Sequence, residues 1–424
     1  MGVINIKDLK ADMVLAGDIK DRRGRLLMSK GIILNEKGLK ICKMWGIVEA
    51  DVEGISSEEI YASTVKNIDA TVIAAAEEII QKRFCHNDIG HPAIRELIRM
   101  STLLITSGKT TYRDIEQDNV GSTLLHEKEF EQITKKKPLN INLAQYVRDD
   151  TELSTLPGIY RQILDVISKP HSSAYDFEKV IRTDTNLSAR LLKLVNSAFY
   201  GYPSKIDSLS RAVIIIGTKQ LSTLATGVNI VSVFKNIPSE IINMKMFWKH
   251  SILCGICARL IASHKNIQNT ERMFIAGLLH DIGRLVLYNY LPIESLYAAT
   301  DATNKQSLLY FAERALFNFD HATIGGDLIN KWQISLSLED CIRHHHEPQR
   351  SRNRVESSIV HLADIMANVI GIGSSGERLI PALNQEAWMQ LDITPNILSV
   401  VMEQAEGQFE DVFRMIYIDE KANK

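Results

Sequence analysis

The chain has 424 residues, of which 45% are hydrophobic and 24% charged, and its formal net charge is −2. This composition is ordinary for a soluble globular protein, and the near-neutral charge gives no global indication of nucleic-acid or membrane-surface binding. Five cysteines in so long a chain are typical of a reducing compartment. We expect two or three domains in a cytoplasmic protein with no DNA-binding signal, because no signal peptide and no membrane span are predicted.

Residues 1–55 have the pattern of a small β-rich module. Two short apolar runs, VLAGDI and RLLMSKGIIL, are separated by DRRGR, in which Gly24 favours a hairpin-like turn. The following segment, EKGLKICKMWGI, has apolar residues at helical spacing and is predicted to form a short helix. This part contains no histidine and no ligand cluster, so we interpret it as a structural or docking module.

Residues 56–138 are predicted to form a helical connector followed by a polar linker. Apolar residues recur at helical spacing after Ser57, and a second helix is predicted after Pro92. The helices within residues 57–107 are a candidate hairpin for homodimer formation. The basic run Lys135–Lys137 favours a solvated linker over a binding patch and places a domain boundary near Pro138.

The segment CHNDIGHP, between these two predicted helices, contains four residues of metal-ligating type: Cys85, His86, Asp88 and His91. Its turn-forming Asn87-Asp88 pair and Gly90 favour an ordinary loop. A metal site in this loop is the less favoured alternative.

From residue 139 to the end, apolar residues recur at three- and four-residue spacing without alternating strand patterns. This pattern predicts an all-α domain of more than ten helices, whose two halves, 139–235 and 236–424, join near residue 235. The expected fold class is therefore mainly α, a multi-helical bundle preceded by a small β-rich module and a helical connector.

Histidine and aspartate residues are concentrated in the second half of this helical region. The run ERMFIAGLLHDIGR ends an apolar helix with His280 and Asp281 side by side, and such groups are costly to bury without a hydrogen-bond partner or a metal. Further candidates occur in FWKHS, HATIGGDL, CIRHHHEP and SSIVHLAD. We expect the histidines of CIRHHHEP to close a helix before Pro348, so that at most two of them share a face.

Each of these residues alone is better explained as an ordinary core or surface residue, and a hydrogen-bonded network without metal stays an alternative for the set. Together they offer nitrogen and oxygen ligands of the kind that iron, manganese, zinc or nickel accept, enough for two ions bridged by an aspartate. Two such ions would activate water and hold a phosphoryl group. The CxxC at Cys254 and Cys257 lies in an apolar helix and is interpreted as two buried small residues.

Residues 150 to 368 resemble the HDOD family, a branch of the HD-domain superfamily of metal-dependent phosphohydrolases. The resemblance rests on LPGIYRQIL, on Asn196-Ser197-Ala198 and on Gly217 in the first half, and on WKHS, GLLHDIGR, HATIGGDL, HHHEP and VHLAD, in the family order, in the second. The first 55 residues resemble, more weakly, the small module ahead of some HD-GYP domains. This combination is typical of a multi-domain bacterial signal-transduction protein.

The related HD-GYP branch, whose members hydrolyse cyclic di-GMP, implies a metal-ligand set by motif: His250, His280, Asp281, His321, His345, His346 and Asp364. The glycine-rich GYP loop is absent, because no glycine occurs between Glu347 and Gly371. Met246 stands where some relatives have a glutamate for a third metal, so two ions are expected. Arg284 replaces a lysine of active relatives and still offers a cation to a phosphate, which makes Asp281 and Arg284 the candidate catalytic residues.

Two functions are compatible with these residues. The favoured one is a regulatory module that binds a signalling protein partner or a nucleotide, with metal at an HD-type site and little or no turnover. The alternative is a metal-dependent phosphohydrolase or phosphodiesterase acting on a nucleotide or cyclic dinucleotide, with Arg343 and Arg350 steering the anionic substrate. A solvated loop is the simpler explanation of these two arginines. The missing GYP loop and the connector-like middle of the chain favour the regulatory function.

Overall fold

A computed structural model describes residues 2–20, 25–45, 47–54, 68–108, 158–168, 173–197, 199–202, 204–231 and 241–417, with the single residues 59, 139, 234, 237 and 238. The chain divides into two compact units. Unit 1 contains residues 1–82, 88–109 and 393–401, and unit 2 contains residues 83–87, 110–392 and 402–424. The four-part division predicted from the sequence stays a prediction.

Unit 1 begins with the predicted small β-rich module. Strand β1 (Gly2–Asn5) pairs antiparallel with β4 (Glu49–Val52), and β2 (Ile19–Lys20) pairs antiparallel with β3 (Leu26–Met28). The predicted short helix is α1 (Glu36–Met44). The buried core of the module includes Ile4, Leu15, Leu34, Cys42 and Val52. The predicted turn at Gly24 lies outside the described residues.

Two helices follow, α2 (Ala70–Arg83) and α3 (Pro92–Thr106). Proline is well placed at the first position of α3, because no intrahelical partner exists there for a backbone N–H. His91 caps this helix, since its Nδ1 accepts the N–H of Ala93 at 3.2 Å. The predicted helix start at Ser57 and the basic run Lys135–Lys137 lie outside the described residues, and homodimer formation through residues 57–107 stays a prediction.

The first half of unit 2 contains five described helices: α4 (Gly158–Ser168), α5 (Ala174–Arg182), α6 (Thr185–Val195), α7 (Leu209–Ile216) and α8 (Thr218–Ile230). Asp184 caps α6 by accepting the N–H of Leu187 at 2.9 Å. Asn196 fixes the other end of α6, because its side chain exchanges two hydrogen bonds of 2.7 Å with the backbone of Ile206. The Asn196-Ser197-Ala198 motif therefore begins with a residue that holds a loop in place.

The second half of unit 2 contains the remaining described helices: α9 (Met244–His264), α10 (Thr270–Leu279), α11 (Ile282–Tyr290), α12 (Pro292–Lys305), α13 (Leu309–Phe317), α14 (His321–Lys331), α15 (Leu336–Arg343), α16 (Arg354–Ile370) and α17 (Gln385–Leu391). The last helix, α18 (Asn396–Ile416), begins in unit 1 and ends in unit 2. The predicted mainly α fold is confirmed. Among the described helices, none combines the length and apolar character needed to cross a bilayer.

Helices α9 and α10 approach each other at the level of their backbones. A Cβ atom on Gly255 would lie 2.7 Å from the carbonyl oxygen of Phe274, and one on Gly277 would lie 2.8 Å from that of Cys254. Only glycine permits this separation. The close contact brings His250, in the second turn of α9, next to the end of α10, where His280 is found. Cys254 and Cys257 are buried in α9 as uncrosslinked small residues, which matches their interpretation from the sequence.

Candidate metal centre

The His280-Asp281 pair occupies the corner between α10 and α11, since α10 ends at Leu279 and α11 begins at Ile282. The His280 Nδ1–H donates a hydrogen bond of 2.7 Å to the carbonyl oxygen of Gly277. This bond fixes the ring so that Nε2 lies 3.2 Å from Asp281 Oδ2. An imidazole anchored on one nitrogen and directed inward by the other is typical of a metal-ligating histidine.

One group of candidate ligands consists of His250, His280 and Asp364, from α9, the α10–α11 corner and α16. Their ligating atoms all lie within 4.8 Å of one another. His250 Nε2 lies 3.2 Å from Asp364 Oδ1, and His280 Nε2 lies 3.4 Å from the same oxygen. Neither Nε2 atom has a hydrogen-bond partner of good geometry, although both are fully buried. A cation at this point would remove the cost of burying them unpaired.

A second group consists of His321, His345 and His346, again with ligating atoms within 4.8 Å of one another. His321 is the first residue of α14, and Asp320 caps that helix by accepting the N–H of Thr323 at 2.9 Å. His346 Nε2 lies 2.9 Å from His321 Nε2. The His345 Nδ1–H donates to the carbonyl oxygen of Ile342 at 2.7 Å, which leaves its Nε2 buried and without a partner.

The predicted helix ends earlier than expected, because His344 is its C-cap residue, with its N–H donating to the carbonyl oxygen of Asp340 at 3.1 Å, and His345 and His346 lie beyond it. Helix α15 ends at Arg343, and the three histidines lie in the turn that follows it. Two consecutive side chains can point the same way in such a turn, because the 100° rotation between neighbours in a helix no longer applies. His344 is separate from the group, with its Nε2 3.6 Å from Asp340 Oδ1.

Asp281 lies between the two groups. Its Oδ2 is 3.2 Å from His280 Nε2 and 3.8 Å from His250 Nε2, while its Oδ1 is 2.9 Å from His321 Nε2 and 3.9 Å from His345 Nε2. One carboxylate oxygen thus faces each group, as a bridge between two ions requires. The nitrogen and oxygen donors fit iron, manganese, zinc or nickel. Each of the candidate ligands is at most 8% exposed.

The charges in the cluster are unevenly distributed. Burial alone would favour the neutral ring of His280 and His321. Asp281 nevertheless raises the pKa of His280 well above its usual value, and Glu313 together with Asp281 raises the pKa of His321 to about 9. Burial and the neighbouring histidines lower the pKa of His345 to about 3. Without metal, His280 and His321 thus hold a proton more strongly than an ordinary histidine, and His345 holds one less strongly.

Metal binding at pH 7 is expected to release protons, because a histidine must be neutral to ligate a metal. His280 and His321 carry the protons that would be displaced, since both have a raised pKa. The apparent metal affinity should therefore increase as the pH rises from 7 toward about 9, the pKa of His321. Titration calorimetry in buffers of different ionisation enthalpy measures the protons released, and a binding heat independent of the buffer would contradict this expectation.

Glu313, which the sequence analysis did not single out, holds His321. Its Oε2 accepts hydrogen bonds from His321 Nδ1–H at 2.6 Å and from the backbone N–H of the same residue at 2.9 Å. Carboxylates in this position orient a ligating imidazole and increase its basicity. A signal was present in the sequence, because Glu313 lies on the apolar face of α13, with Leu309 and Leu316 one turn away on either side.

Arg284 is predicted to offer a cation to a phosphate, and Arg343 and Arg350 are predicted to steer an anionic substrate. These roles stay predictions. Arg284 is only 2% exposed, and its Nη1 donates to the carbonyl oxygen and the Oγ of Ser375. Arg343 pairs with Glu339 and, at 2.7 Å, with Asp327. The Arg350 side chain is 66% exposed and lies 3.3 Å from Glu347 Oε1. All three cations thus have partners within the chain, and only Arg350 is largely exposed.

The loop residues considered as an alternative metal site have other partners. His86 Nε2 bonds the carbonyl oxygen of Gln306 at 2.8 Å, and His91 caps α3. The groups of potential ligands found among the described residues include none of Cys85, His86, Asp88 or His91. The expectation that this loop holds no metal stays a prediction.

Part of this chain matches a known protein family. Residues 153–348 match the sequence model of the HDOD domain family. An uncharacterised protein of Treponema pallidum (strain Nichols) is 26% identical over 234 residues, which are 55% of this chain and 44% of that protein. The chain thus spans less than half the length of this curated relative.

Two solved structures share the fold. An HDOD domain protein of unknown function from Geobacter sulfurreducens is 22% identical, with a TM-score of 0.55 over 65% of this chain and 97% of that chain. A protein of Shewanella amazonensis SB2B, provisionally named a phosphohydrolase, is 23% identical, with a TM-score of 0.51 over 65% of this chain and 98% of that chain. At these identities the likeness concerns the fold alone.

Proposed function

We propose that the protein is a regulatory component of bacterial signal transduction, because its residues 153–348 match the HDOD domain family. Its helical domain binds a signalling protein partner or a nucleotide, and its HD-type site holds two divalent transition-metal ions. Turnover is small or absent. The bound metal stabilises one arrangement of the domain, because a ligand that binds only the native state stabilises that state.

The burial of the candidate ligands is the observation that carries this proposal. All of them are at most 8% exposed. In a two-metal hydrolase, the attacking and leaving oxygens must both reach the metal ions. Arg284 Nη1 is engaged by Ser375, and Arg343 is engaged by two carboxylates, so these donors are already occupied in this arrangement. These contacts favour a site that holds metal over one that turns over substrate.

A second function, metal-dependent hydrolysis of a nucleotide or cyclic dinucleotide, is favoured by a different observation. The candidate ligand set is complete in residue type, and Asp281 presents one oxygen to each group. When bound, two ions would supply an activated water and polarise a phosphoryl oxygen. His280, His321 and His345 would hold the ions through Nε2, since each Nδ1 is directed away toward a carbonyl or carboxylate oxygen.

Binding and turnover can be separated in one experiment. The metal-loaded full chain is incubated with a panel of nucleotides and cyclic dinucleotides, and both the melting temperature and product formation are measured. We expect a nucleotide ligand to raise the melting temperature without product above the level of Asp281→Asn. If no nucleotide shifts the melting temperature, affinity capture from bacterial cells should identify a signalling protein that binds the purified chain directly.

Robust product formation by the wild-type chain, lost in Asp281→Asn and retained in His344→Ala, would contradict the regulatory proposal and support the hydrolase. His344 is a suitable control because it adjoins the candidate ligands but is directed toward Asp340.

A further inference from the structure

Residues 371–384, here called the strap, connect α16 to α17 and lie against the candidate metal centre. A Cβ atom on Gly373 would lie 2.4 Å from the backbone nitrogen of His250 and 2.6 Å from the carbonyl oxygen of Met246. The N–H of Ser374 donates to the same carbonyl oxygen at 3.1 Å. The strap therefore contacts the α9 backbone directly at a candidate ligand.

The first half of the strap is connected to Asp281 through Arg284. Arg284 Nη1 donates to the carbonyl oxygen of Ser375 at 3.1 Å and to its Oγ at 3.0 Å, while Arg284 Nε lies 3.4 Å from Asp281 Oδ1. The hydroxyl of Tyr288 donates to the carbonyl oxygen of Ser375 at 3.0 Å. A displacement of Ser375 would thus leave Arg284 Nη1 and the Tyr288 hydroxyl buried without their acceptor, which costs free energy.

The second half of the strap is connected to His345 through His361. The N–H of Asn384 donates to His361 Nε2 at 3.0 Å, and the His361 Nδ1–H donates to the carbonyl oxygen of His345 at 2.8 Å. His361 is fully buried and uses both ring nitrogens in these two bonds. It is not placed among the candidate ligands. It instead joins the end of the strap to the backbone of one of them.

The strap is also held by residues 83–87, the segment that joins α2 to the loop before α3. The Asn87 side chain donates to the carbonyl oxygens of Ile380, at 3.0 Å, and Pro381, at 3.4 Å, and accepts the N–H of Leu383 at 3.0 Å. The N–H of Ile380 donates to the carbonyl oxygen of Arg83 at 2.8 Å. Arg83 Nε donates to the carbonyl oxygen of Arg378 at 3.2 Å. Five hydrogen bonds thus fix the middle of the strap to this short segment.

We infer that the strap couples residues 83–87 to the metal centre, and that Asn87 and His361 are positioning residues for His345. The inference rests on the proposed metal-holding function. Residues 83–87 hold Ile380 to Leu383, and the strap in turn holds Arg284 and His361, which contact the candidate ligands Asp281 and His345. Because coupling is reciprocal, the attachment of Asn87 increases the retention of metal, and bound metal strengthens that attachment.

The test uses the full chain loaded with Co²⁺, whose visible spectrum reports the geometry of its ligands. Asn87→Asp is nearly isosteric, but it loses both donated hydrogen bonds and places a carboxylate beside two carbonyl oxygens. His86→Ala is the matched control on the same turn, since its bond is made to Gln306 and not to the strap. We expect Asn87→Asp to release Co²⁺ to a chelator about tenfold faster than the wild-type chain, with a changed spectrum. His86→Ala should behave as the wild-type chain.

A second variant, His361→Phe, breaks the connection to His345 without altering residues 83–87, and we expect the same faster release and changed spectrum. Release from Asn87→Asp at the wild-type rate, or equally fast release from His86→Ala, would overturn the coupling while the metal-holding function stands. A wild-type chain that takes up no metal would overturn both the proposed metal site and the inference.

Discussion

Replacing Asp281 by alanine is expected to reduce the metal content of the purified chain from about two ions to about none. Asp281 presents one oxygen to each group of candidate ligands, at 3.2 Å from His280 Nε2 and 2.9 Å from His321 Nε2. Its removal takes a ligand from both ions, and it leaves the buried histidines without the carboxylate that offsets their charge. Elemental analysis of the variant after expression with iron or manganese measures this effect.

Two control variants distinguish the loss of the bridging carboxylate from a general destabilisation of the fold. Asp364→Ala removes an oxygen from the first group only, and we expect it to retain about one ion. His344→Ala should retain both ions, because His344 is not part of either group. An Asp281→Ala chain that still carried two ions would contradict the bridging arrangement.

Gly283→Ala is expected to have the largest effect on folding stability. A Cβ atom on Gly283 would lie 1.9 Å from the carbonyl oxygen of His321 and 2.7 Å from the backbone nitrogen of Gly325. Both contacts are with the backbone of α14, so no side chain can rotate away, and α11 and α14 must separate. We expect a loss of about 3 kcal/mol in the free energy of unfolding, with a correspondingly lower melting temperature.

Gly407→Ala provides the matched control. Gly407 lies in the interior of α18, and a Cβ atom there would meet nothing within 4 Å. Alanine costs less conformational entropy than glycine in a helix, so this change should stabilise the chain by about 0.5–1 kcal/mol. A Gly283→Ala chain that melted at the wild-type temperature would show that the two backbones do not approach as closely as described.

Much of the fold follows from local signals in the sequence. Apolar periodicity predicts a mainly α chain, and the structure is mainly α. Pro92 and Asp320 mark the starts of α3 and α14, because proline and capping aspartate satisfy requirements of the first helical turn alone. Strands β2 and β3 and helix α1 of the N-terminal module lie in segments predicted by spacing, whereas β1 and β4 were not predicted.

The candidate site could be predicted only in part. Residue type and motif order select His250, His280 and Asp364, but their convergence depends on packing between helices far apart in the chain. Local reasoning places the three consecutive histidines in a helix that in fact ends at Arg343, since a helix end is determined by tertiary contacts as much as by propensity.

The partners of the candidate ligands are still harder to find in the sequence. Glu313 is conspicuous as a carboxylate on the apolar face of α13, but its position does not identify His321 as its partner. Ser375 is an ordinary residue in its segment, and only the folded chain brings it to Arg284. The strap is similar, because its attachment to Asn87 joins residues separated by most of the chain. No periodicity or spacing rule reports contacts of this kind.

The most direct test of a buried two-metal regulatory site measures metal content and turnover on the same sample. The full chain is purified after expression with iron or manganese, its metal is determined by elemental analysis, and its hydrolysis of nucleotides and cyclic dinucleotides is followed. We predict about two ions per chain with no hydrolysis above that of Asp281→Ala. A chain without metal, or a metal-loaded chain that hydrolyses these substrates through many turnovers, would contradict the proposal of a regulatory two-metal site.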